Sequence, residues 1–511
     1  MKTQMRLSYV KSISLLLILG LKLTAQVGGD QTFNVLDYGA VADGKTLCTS
    51  AIQEAIDVAH NKGGGSVVVP AGEFLSGSIV LKSGVTLFLD LNATLLGSTN
   101  PRHYRKINNW KALVLADRAD DVGIAGRGVI DGQGRALALN VDSLHHLGEM
   151  VDPNYNYRRM RLNESQRPQL VYMMSCKRVK LNGVTLKNAS CWVQTYEQCS
   201  GLDIDQVKVF SRAYWNNDGF DIVDCQDVRV TNCDVNTADD GICLKSHSPN
   251  HINDRVYIAN CTVRSSASAI KFGTASHGGF KNVVIENIRV FDTFRSAIAI
   301  ESVDGGVIEN ITVSNVIALN TGNALFIRLG HRQGEQPGSV KNITIKDLYV
   351  QVPFGRPDAD YDMRGPEVNF FHNPFPASIA GIPGHQVENV VLENIEIRYP
   401  GRASKGMAYV PLSRLDQVPE QIAEYPEFSM FGELPAWGFY VRHASNIHLK
   451  NVKLYLDKED FRPAFVFDDV DGLQMEDLDL PAEAKNQIIF KEVSGDQLDA
   501  YSSRILRVLS S

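Results

Sequence analysis

Two short acidic motifs lie close together in the middle of the chain. The first is Asn216-Asn217-Asp218-Gly219-Phe220-Asp221, and the second is Ala238-Asp239-Asp240-Gly241. Neighbouring carboxyl groups can divide the tasks of general acid and general base, because like charges at short distance raise at least one pKa. Asn-Asp-Gly and Asp-Asp-Gly are also good turn formers, and clustered carboxylates can bind a cation. The motifs alone leave these alternatives open.

A repeat in the sequence predicts which elements position these residues. One short pattern recurs with a period of about 28 residues: an apolar residue, any residue, an apolar residue, any residue and then Asn. Such a period is typical of a solenoid whose coils bury a core only when they are stacked. We predict an all-β fold, a single-stranded right-handed parallel β-helix. The repeats begin at Val228, Val256, Val283, Ile311, Val390 and Ile447, and their turn residues are Asn232, Asn260, Asn287, Asn315, Asn394 and Asn451, with Asp347 in the same place after Ile343.

One strand of each coil begins with a small or polar residue, and the residues two and four positions later are apolar at most rungs. Those apolar residues are predicted to point inward. Asp218 and Asp240 then lie one rung apart, about 4.8 Å, with Asp239 beside Asp240 and Asp221 on the outer face. Four carboxylates therefore converge on one patch. The aligned rung starts are Ser190, Asp218, Asp240, Ser268, Ser296 and Asn323.

The rest of the chain is assigned around this solenoid. An amphipathic helix at residues 49–61 is expected to cap its open end. The domain is expected to span residues 26–480, with loop insertions near 353–385 and 399–435, and residues 481–511 form a C-terminal tail that packs on the helix. Five of the eight cysteines, Cys176, Cys199, Cys225, Cys233 and Cys261, follow the repeat, and no C-x-x-C spacing occurs, so we expect buried free thiols.

Residues 1–25 have the pattern of an export signal. Lys2, Arg6 and Lys11 precede an apolar run from Ile13 to Leu21, and Leu23-Thr24-Ala25 ends it with small residues. The run is short for a bilayer span. We therefore predict a secreted or periplasmic protein that is soluble, monomeric and without a membrane partner.

The formal net charge of −7 disfavours a nucleic-acid partner. It also means that an acidic ligand must be bound by locally placed Lys and Arg side chains. No cofactor and no metal are expected.

Taken together, the motifs resemble those of glycoside hydrolase family 28, the polygalacturonase-like pectin-backbone hydrolases. Asn216-Asn217-Asp218 and Ala238-Asp239-Asp240 are similar to that family's paired Asn-Thr-Asp and Gly-Asp-Asp motifs, and Gly126–Gly132 and Arg167-Pro168 are supporting matches. The resemblance implies cleavage of an acidic pectic polysaccharide, of polygalacturonan or rhamnogalacturonan type, by an inverting mechanism. It implies Asp239 as general acid, Asp218 and Asp240 as the groups that hold and deprotonate the water, and Asn216 as a substrate-positioning residue.

Two family motifs are absent. Ala267-Ser268-Ala269 stands where the family carries Gly-His-Gly, and Ala299-Ile300-Glu301 stands where it carries the carboxylate-binding Arg-Ile-Lys. Lys245, Lys271 and Arg328 lie about one rung from the lost cations. We hypothesise that they bind an acidic group on the sugar, with Glu301 and Asp221 also contacting substrate. The alternative is that Lys271 and Arg328 pair with carboxylates such as Glu301.

Two other functions fit a β-helix. The missing motifs would suit a carbohydrate-binding protein whose catalysis has lapsed, although such a protein has no need of three catalytic-type aspartates. A polysaccharide lyase would need a calcium site with a strong base beside it. Release of reducing ends without a new double bond distinguishes a hydrolase from a lyase, and binding without release indicates the lapsed enzyme.

Overall fold

The computed structural model describes residues 31–361, 373–408, 410–482, 488–496 and 505–507. The predicted export signal lies outside these ranges. The strands are β1 Thr32–Asn34, β2 Asp43–Leu47, β3 Gly65–Val69, β4 Gly72–Ser76, β5 Ile79–Leu81, β6 Val85–Leu89, β7 Ala93–Gly97, β8 Lys106–Ile107, β9 Trp110–Asp117, β10 Gly123–Gly126, β11 Val129–Asp131, β12 Gln169–Met174, β13 Lys177–Asn182, β14 Thr185–Lys187, β15 Gln194–Glu197, β16 Ser200–Asp205, β17 Lys208–Ser211, β18 Phe220–Val223, β19 Gln226–Thr231, β20 Asp234–Thr237, β21 Ile242–Ser246, β22 Asn253–Ala259, β23 Thr262–Ser265, β24 Ile270–Ser276, β25 Gly279–Ser302, β26 Val307–Leu329, β27 Ser339–Gln351, β28 Ala377–Ala380, β29 Val387–Tyr399, β30 Phe439–Leu456, β31 Phe465–Asp479, β32 Ile488–Gly495 and β33 Ile505–Arg507.

The strands pair in parallel and in series, apart from the short antiparallel pair of β8 and β9. Strand β15 pairs with β18, β18 with β21 and β21 with β24, so that each coil returns to the same sheet. We call this series sheet 1; it continues into the C-terminal parts of β25 and β26. The predicted all-β parallel β-helix is thereby confirmed, while its right-handed course stays a prediction that rests on the general handedness of parallel crossovers.

The inward rows of sheet 1 are those expected from the sequence. Phe220, Ile242, Ile270, Ile298 and Leu325 lie side by side in register. All five are buried in the main apolar core. Because strand side chains alternate between faces, the residues between these apolar positions point away from the core. This alternation places charged side chains on the outer face of sheet 1.

The recurring asparagines form what we call the turn ladder. Asn260, Asn287 and Asn315 all adopt positive φ angles, between 52° and 56°, which Asn tolerates better than most residues. The side-chain amide of Asn287 donates to Asn260 Oδ1 (3.1 Å), and that of Asn315 donates to Asn287 Oδ1 (2.6 Å). The prediction that these residues stack at a turn is confirmed.

The eight cysteines are all buried and free, as predicted. Several of them contact one another along the axis; the Cys199 N–H, for example, donates to Cys225 Sγ at 3.4 Å. They therefore act as small apolar side chains within the stacked coils.

Helices occupy little of the described chain. They are α1 Thr49–Asn61, α2 Gly134–His146 and α3 Lys405–Ala408, and 3-10 turns lie at Val35–Tyr38, Pro101–His103, Glu164–Gln166 and Leu412–Gln417. Helix α1 has the predicted bounds and buries Ile52, Ala55, Ile56 and Ala59. Its role as a cap of the solenoid stays a prediction. No helix in the described ranges is long and apolar enough to cross a membrane.

Two long connections leave the coils after β27 and β29, near the predicted insertions. The second, which we call the C-terminal loop, covers residues 410–438. Its apolar residues Leu415, Val418, Phe428 and Phe431 are buried against the outer face of sheet 1. Strand β32 lies in the segment predicted as a C-terminal tail, and it pairs in parallel with β31. The predicted domain boundaries themselves stay a prediction.

Candidate active site

Two consecutive coils bring three of the predicted aspartates together. Asp218 immediately precedes Gly219 and β18, and Asp239 and Asp240 immediately precede Gly241 and β21. Strands β18 and β21 are paired in register, with Phe220 opposite Ile242. The three carboxyl groups therefore lie on adjacent rungs, as the repeat predicted.

The aspartates open onto a single cleft with a volume of about 660 Å³. One end of the cleft is lined by the segment that precedes β12, and the other end is lined by the C-terminal loop. Its lining residues are Arg159, Arg161, Glu164, Trp192, Asn216, Asp218, Asp239, Asp240, Lys245, His247, Lys271, Thr274, Ala275, Arg295, Gln421, Glu424, Tyr425, Glu427 and Met430.

The glycines that follow the aspartates allow the rungs to approach closely. A Cβ atom on Gly219 would lie 2.5 Å from the carbonyl oxygen of Gly241. One on Gly241 would lie 2.4 Å from a methyl carbon of Val263. Both distances are shorter than any real Cβ contact. Glycine is thus required at these two positions for the carboxyl groups to stand on neighbouring coils.

The turn before Asp218 is fixed by two polar side chains. Asn217 is fully buried, accepts hydrogen bonds from Ser211 Oγ (2.9 Å) and the Ala213 N–H (3.0 Å), and donates to the carbonyl of Cys191 (2.8 Å). The buried Arg167 guanidinium donates to Asn216 Oδ1 at 2.7 Å. Asn216 itself lies at the cleft surface with a positive φ of 57°. These bonds hold the Asn216 amide in a defined position.

Lys245 lies directly beneath the first aspartate. Its ammonium group donates to Asp218 Oδ2 at 2.8 Å and also bonds to Asp221 Oδ1. Asp221 is completely buried and does not line the cleft, so the structure places it under Lys245 rather than at the surface. The Lys245 ammonium also lies 4.1 Å from the ring centre of Trp192. Lys245 thus already has two carboxylate partners.

Lys271 has an equivalent place beside the second motif. Its ammonium lies 3.3 Å from Asp240 Oδ2 and 3.9 Å from Glu301 Oε2, and it donates to the Tyr425 hydroxyl at 3.3 Å. Glu301 is only 2% exposed and does not line the cleft. Its burial raises its pKa to about 8. The alternative in which Lys271 pairs with Glu301 matches this geometry.

Arg328 does not join the site. Its guanidinium is buried and donates to the carbonyl oxygens of Gly381 (2.8 Å), Glu420 (2.8 Å) and Gln421 (3.1 Å). It therefore fixes the C-terminal loop against sheet 1, two rungs from Lys271. The prediction that Arg328 binds substrate is therefore wrong. It rested on the position of Arg328 in the repeat, which does not show that the inserted loop brings backbone carbonyl groups to this side chain.

The three cleft aspartates have different electrostatic environments. Burial raises the pKa of Asp239 well above its usual range, and the charges of Asp218 and Asp240 raise it further. Burial also raises the pKa of Asp218, although Lys245 opposes this shift.

Asp240 shows the opposite direction. Burial would raise its pKa, but the positive charges of Lys271 and Arg295 outweigh burial and hold the pKa below its usual value. A hydrogen bond from the Ser268 N–H to Asp240 Oδ1 (2.9 Å) contributes to the lowering. The Asp239 carboxyl thus favours the protonated form and its neighbour Asp240 the ionised form, which are the states needed by an acid and a base.

Several residues of the cleft were not predicted from the sequence. Arg295 is 2% exposed and ion-pairs with Glu427 of the C-terminal loop at 3.1 Å. Its N–H donates to the carbonyl of Ala267, which places it in the same column as Asp239. Arg295 could have been predicted from the sequence, because it precedes the rung start Ser296 just as Asp239 precedes Asp240. Arg161, Tyr425 and Glu427 come from long connections whose approach to the cleft leaves no periodic signal.

Comparison with known proteins places the chain among carbohydrate-active enzymes. Residues 61–356, more than half of the chain, match the model of glycosyl hydrolases family 28. A probable polygalacturonase of Vitis vinifera is 23% identical over 451 residues, covering 78% of this chain and 84% of that relative. An exo-poly-alpha-D-galacturonosidase of Dickeya chrysanthemi is 24% identical over 438 residues, covering 71% of each.

Solved structures share the fold. The family 28 exopolygalacturonase of Yersinia enterocolitica matches with a TM-score of 0.61 at 19% identity, covering 92% of this chain and 78% of that one. An exopolygalacturonase of Thermotoga maritima matches with a TM-score of 0.58 at 22% identity, covering 73% of this chain and 88% of that one. At these identities the likeness concerns the parallel β-helix alone.

Proposed function

Because the chain belongs to glycoside hydrolase family 28, and is therefore a glycoside hydrolase, we propose that it cleaves an acidic pectic polysaccharide with inversion at the anomeric carbon. The observation that carries this proposal is the meeting of Asp218, Asp239 and Asp240 on adjacent rungs of one cleft, with opposite pKa directions for Asp239 and Asp240. The relatives are a probable polygalacturonase and an exo-poly-alpha-D-galacturonosidase, which supports the substrate class.

In this mechanism Asp239 is the general acid. A raised pKa keeps its proton available near neutral pH, so that it can protonate the leaving glycosidic oxygen as the bond breaks. The Asp239 backbone is held by two hydroxyl groups, because Thr237 Oγ1 (2.8 Å) and Ser265 Oγ (2.6 Å) both donate to its carbonyl oxygen. The acid is therefore fixed in position before substrate arrives.

Asp240, kept ionised by Lys271 and Arg295, accepts a proton from the attacking water, and Asp218 helps to orient that water. An inverting enzyme needs room for this water between acid and base. Asn216 binds a sugar hydroxyl with its amide in this proposal, which the bond from Arg167 to Asn216 Oδ1 supports. These assignments retain the sequence-based roles.

The contacts of Lys271 support a positioning role rather than direct binding of an acidic sugar. If Lys271 keeps Asp240 ionised, Lys271→Met raises the pKa of Asp240. The acidic limb of the pH profile of kcat/KM should then move to higher pH, with similar losses on acidic and methyl-esterified substrates. A selective loss on the acidic substrate would instead show that Lys271 binds the sugar carboxylate.

We further propose that the protein is exported. A polysaccharide of the plant cell wall is met outside the cytoplasm, which agrees with a signal at residues 1–25 and a secreted or periplasmic monomer. Mass spectrometry of the N-terminus of the protein recovered from its native host tests this, because cleavage near residue 25 is expected.

A product assay tests the activity itself. Incubation with polygalacturonan and with a rhamnogalacturonan backbone should release reducing ends without a new ultraviolet-absorbing double bond. An increase in that absorbance would indicate a lyase. Binding without release would indicate a lapsed enzyme, and no interaction with either polymer would refute the pectic substrate class.

A further inference from the structure

The two ends of the cleft carry different charge. At the end formed by the segment before β12, Arg159 is exposed, and Arg161 lies 3.3 Å from Glu164. Two guanidinium groups and one carboxylate thus line this end. This end has an excess of positive charge that an acidic sugar could use.

At the opposite end, the cations are matched by carboxylates of the protein. Lys271 lies within 4 Å of Asp240 and Glu301, and Arg295 lies 3.1 Å from Glu427. The pair of Arg295 and Glu427 is itself part of the cleft lining. Where an acidic sugar would place its carboxylate on Arg295, the protein has already placed one of its own.

The position of Glu427 is fixed by the loop that carries it. The adjacent Phe428 is 5% exposed and packs edge-on against Phe294, with ring centres 6.1 Å apart. Earlier in the loop, Val418 and Glu420 are held by Arg442 of β30, whose guanidinium donates to the carbonyl of Val418 (2.9 Å) and pairs with the Glu420 carboxylate (2.6 Å). Since both sides of Glu427 are anchored, a substrate carboxylate would have to approach a buried guanidinium that is already neutralised, with Glu427 and Glu424 nearby.

We infer that this end of the cleft, lined by Arg295, Glu427 and Tyr425, is a subsite for an uncharged sugar unit, and that the end lined by Arg159 and Arg161 receives an acidic one. Like charges placed together across an interface oppose binding, and this repulsion provides specificity as strongly as attraction does. The inference rests on the proposed function and adds to it: the bond that is cut joins an acidic unit to a neutral or esterified one.

Partially methyl-esterified galacturonan provides the test, because its acidic and uncharged units have the same sugar skeleton. Hydrolysis of oligomers with a known ester pattern in ¹⁸O-labelled water marks each new reducing end, so the masses of the labelled product and of its unlabelled counterpart identify the unit on each side of the cut. The wild-type enzyme should show an ester enriched about tenfold on one side of the cut and a free acid on the other.

Two variants assign the preference to the named residues. Glu427→Gln should abolish most of the ester enrichment, since the Arg295 guanidinium is then able to accept a sugar carboxylate. Arg159→Met should weaken the preference for a free acid on the other side. Glu388→Gln, which removes an exposed carboxylate from β29, is the matched control and should keep the wild-type pattern.

The possible results separate the inference from the proposed function. Free acids on both sides of the cut, or a pattern that Glu427→Gln does not change, would overturn the inference and leave the pectic hydrolase intact. If galacturonan resists and only a backbone of alternating rhamnose and galacturonic acid is cut, the inference is supported. No cleavage of either polymer would overturn the proposed function and this inference with it.

Discussion

The turn ladder and the rungs that carry Asp218 and Asp240, which we call the catalytic rungs, belong to the same stack of coils, but they are built in opposite ways. In the turn ladder the same residue type recurs, and the Asn287 amide satisfies its neighbour Asn260. At the rungs of the candidate active site the residue type is not constant along the column, because Ser190 is followed by Asp218 and Asp240, and these by Ser268. Repetition indicates a stabilising role, and departure from the repeat marks the place where the chain carries out chemistry.

The energetic consequences differ as well. An exposed amide ladder adds a modest stabilisation at each coil. Buried aspartates and lysines cost free energy unless every charge is paired, because removal from water is expensive. Lys245 with Asp218 and Asp221, and Lys271 with Asp240, are the pairings that reduce this cost. The site therefore depends on a balance of charge that the turn ladder does not need.

The largest effect is expected for the general acid. Asp239→Asn should reduce turnover by about 10²–10⁴-fold, the usual contribution of a positioned acid. Thermal stability should not fall, since the variant removes a carboxyl group whose ionisation is unfavourable in the folded state. Reducing-end assays and calorimetry measure both quantities. Asp234→Asn, an exposed change on β20, is the control and should leave turnover unaltered. Near-wild-type rates in Asp239→Asn would refute the acid assignment.

The next effect is on stability. Lys245→Met leaves Asp218 and Asp221 buried without their cation, which should lower the free energy of unfolding by about 3–5 kcal/mol. Chemical denaturation monitors this loss. Lys208→Met, at an exposed position of β17, controls for the substitution itself. An equal effect of the two variants would mean that the Lys245 pairing contributes nothing special.

A smaller effect depends on pH. The pKa of Glu301 is raised from 4.5 to about 8, so between these values the folded protein binds a proton that the unfolded chain has lost. Wild-type stability should therefore fall as pH rises through this window, relative to Glu301→Gln. We expect the variant to gain about 1–3 kcal/mol over the wild type between pH 4.5 and 8. A pH-independent difference would show that Glu301 is ionised throughout.

The smallest effect belongs to the turn ladder. Asn287→Ala loses the ladder hydrogen bonds and places Ala at a positive φ, which together should cost about 1–2 kcal/mol. Glycine adopts a positive φ without strain, so the difference in unfolding free energy between Asn287→Ala and Asn287→Gly measures the cost of the backbone conformation alone. Turnover should be unchanged in both. A large loss of activity would contradict the view that the turn ladder stabilises the fold and takes no part in catalysis.

Much of the fold could be predicted because it repeats. The period, the inward rows of sheet 1, the stacked asparagines and the free thiols all follow from positions that recur at each coil. The three cleft aspartates could be predicted for a related reason, since they occupy known columns and resemble a family motif.

The remaining parts of the site depend on contacts that sequence columns do not encode. A lysine side chain is long enough to reach a neighbouring rung, so the column of Lys245 did not show that Asp221 lies beneath it. Arg328 faces carbonyls of the C-terminal loop, and Glu427 reaches Arg295 from more than 130 residues away. Such long-range pairings require the three-dimensional structure.

The central claim is that Asp218, Asp239 and Asp240 together carry out hydrolysis with inversion. The most direct measurement is proton NMR of the first product formed from the substrate, before mutarotation exchanges the anomers. The arrangement of one protonated and one ionised carboxyl group around a water predicts a product of inverted anomeric configuration. A first product that retains the configuration of the substrate would contradict the account.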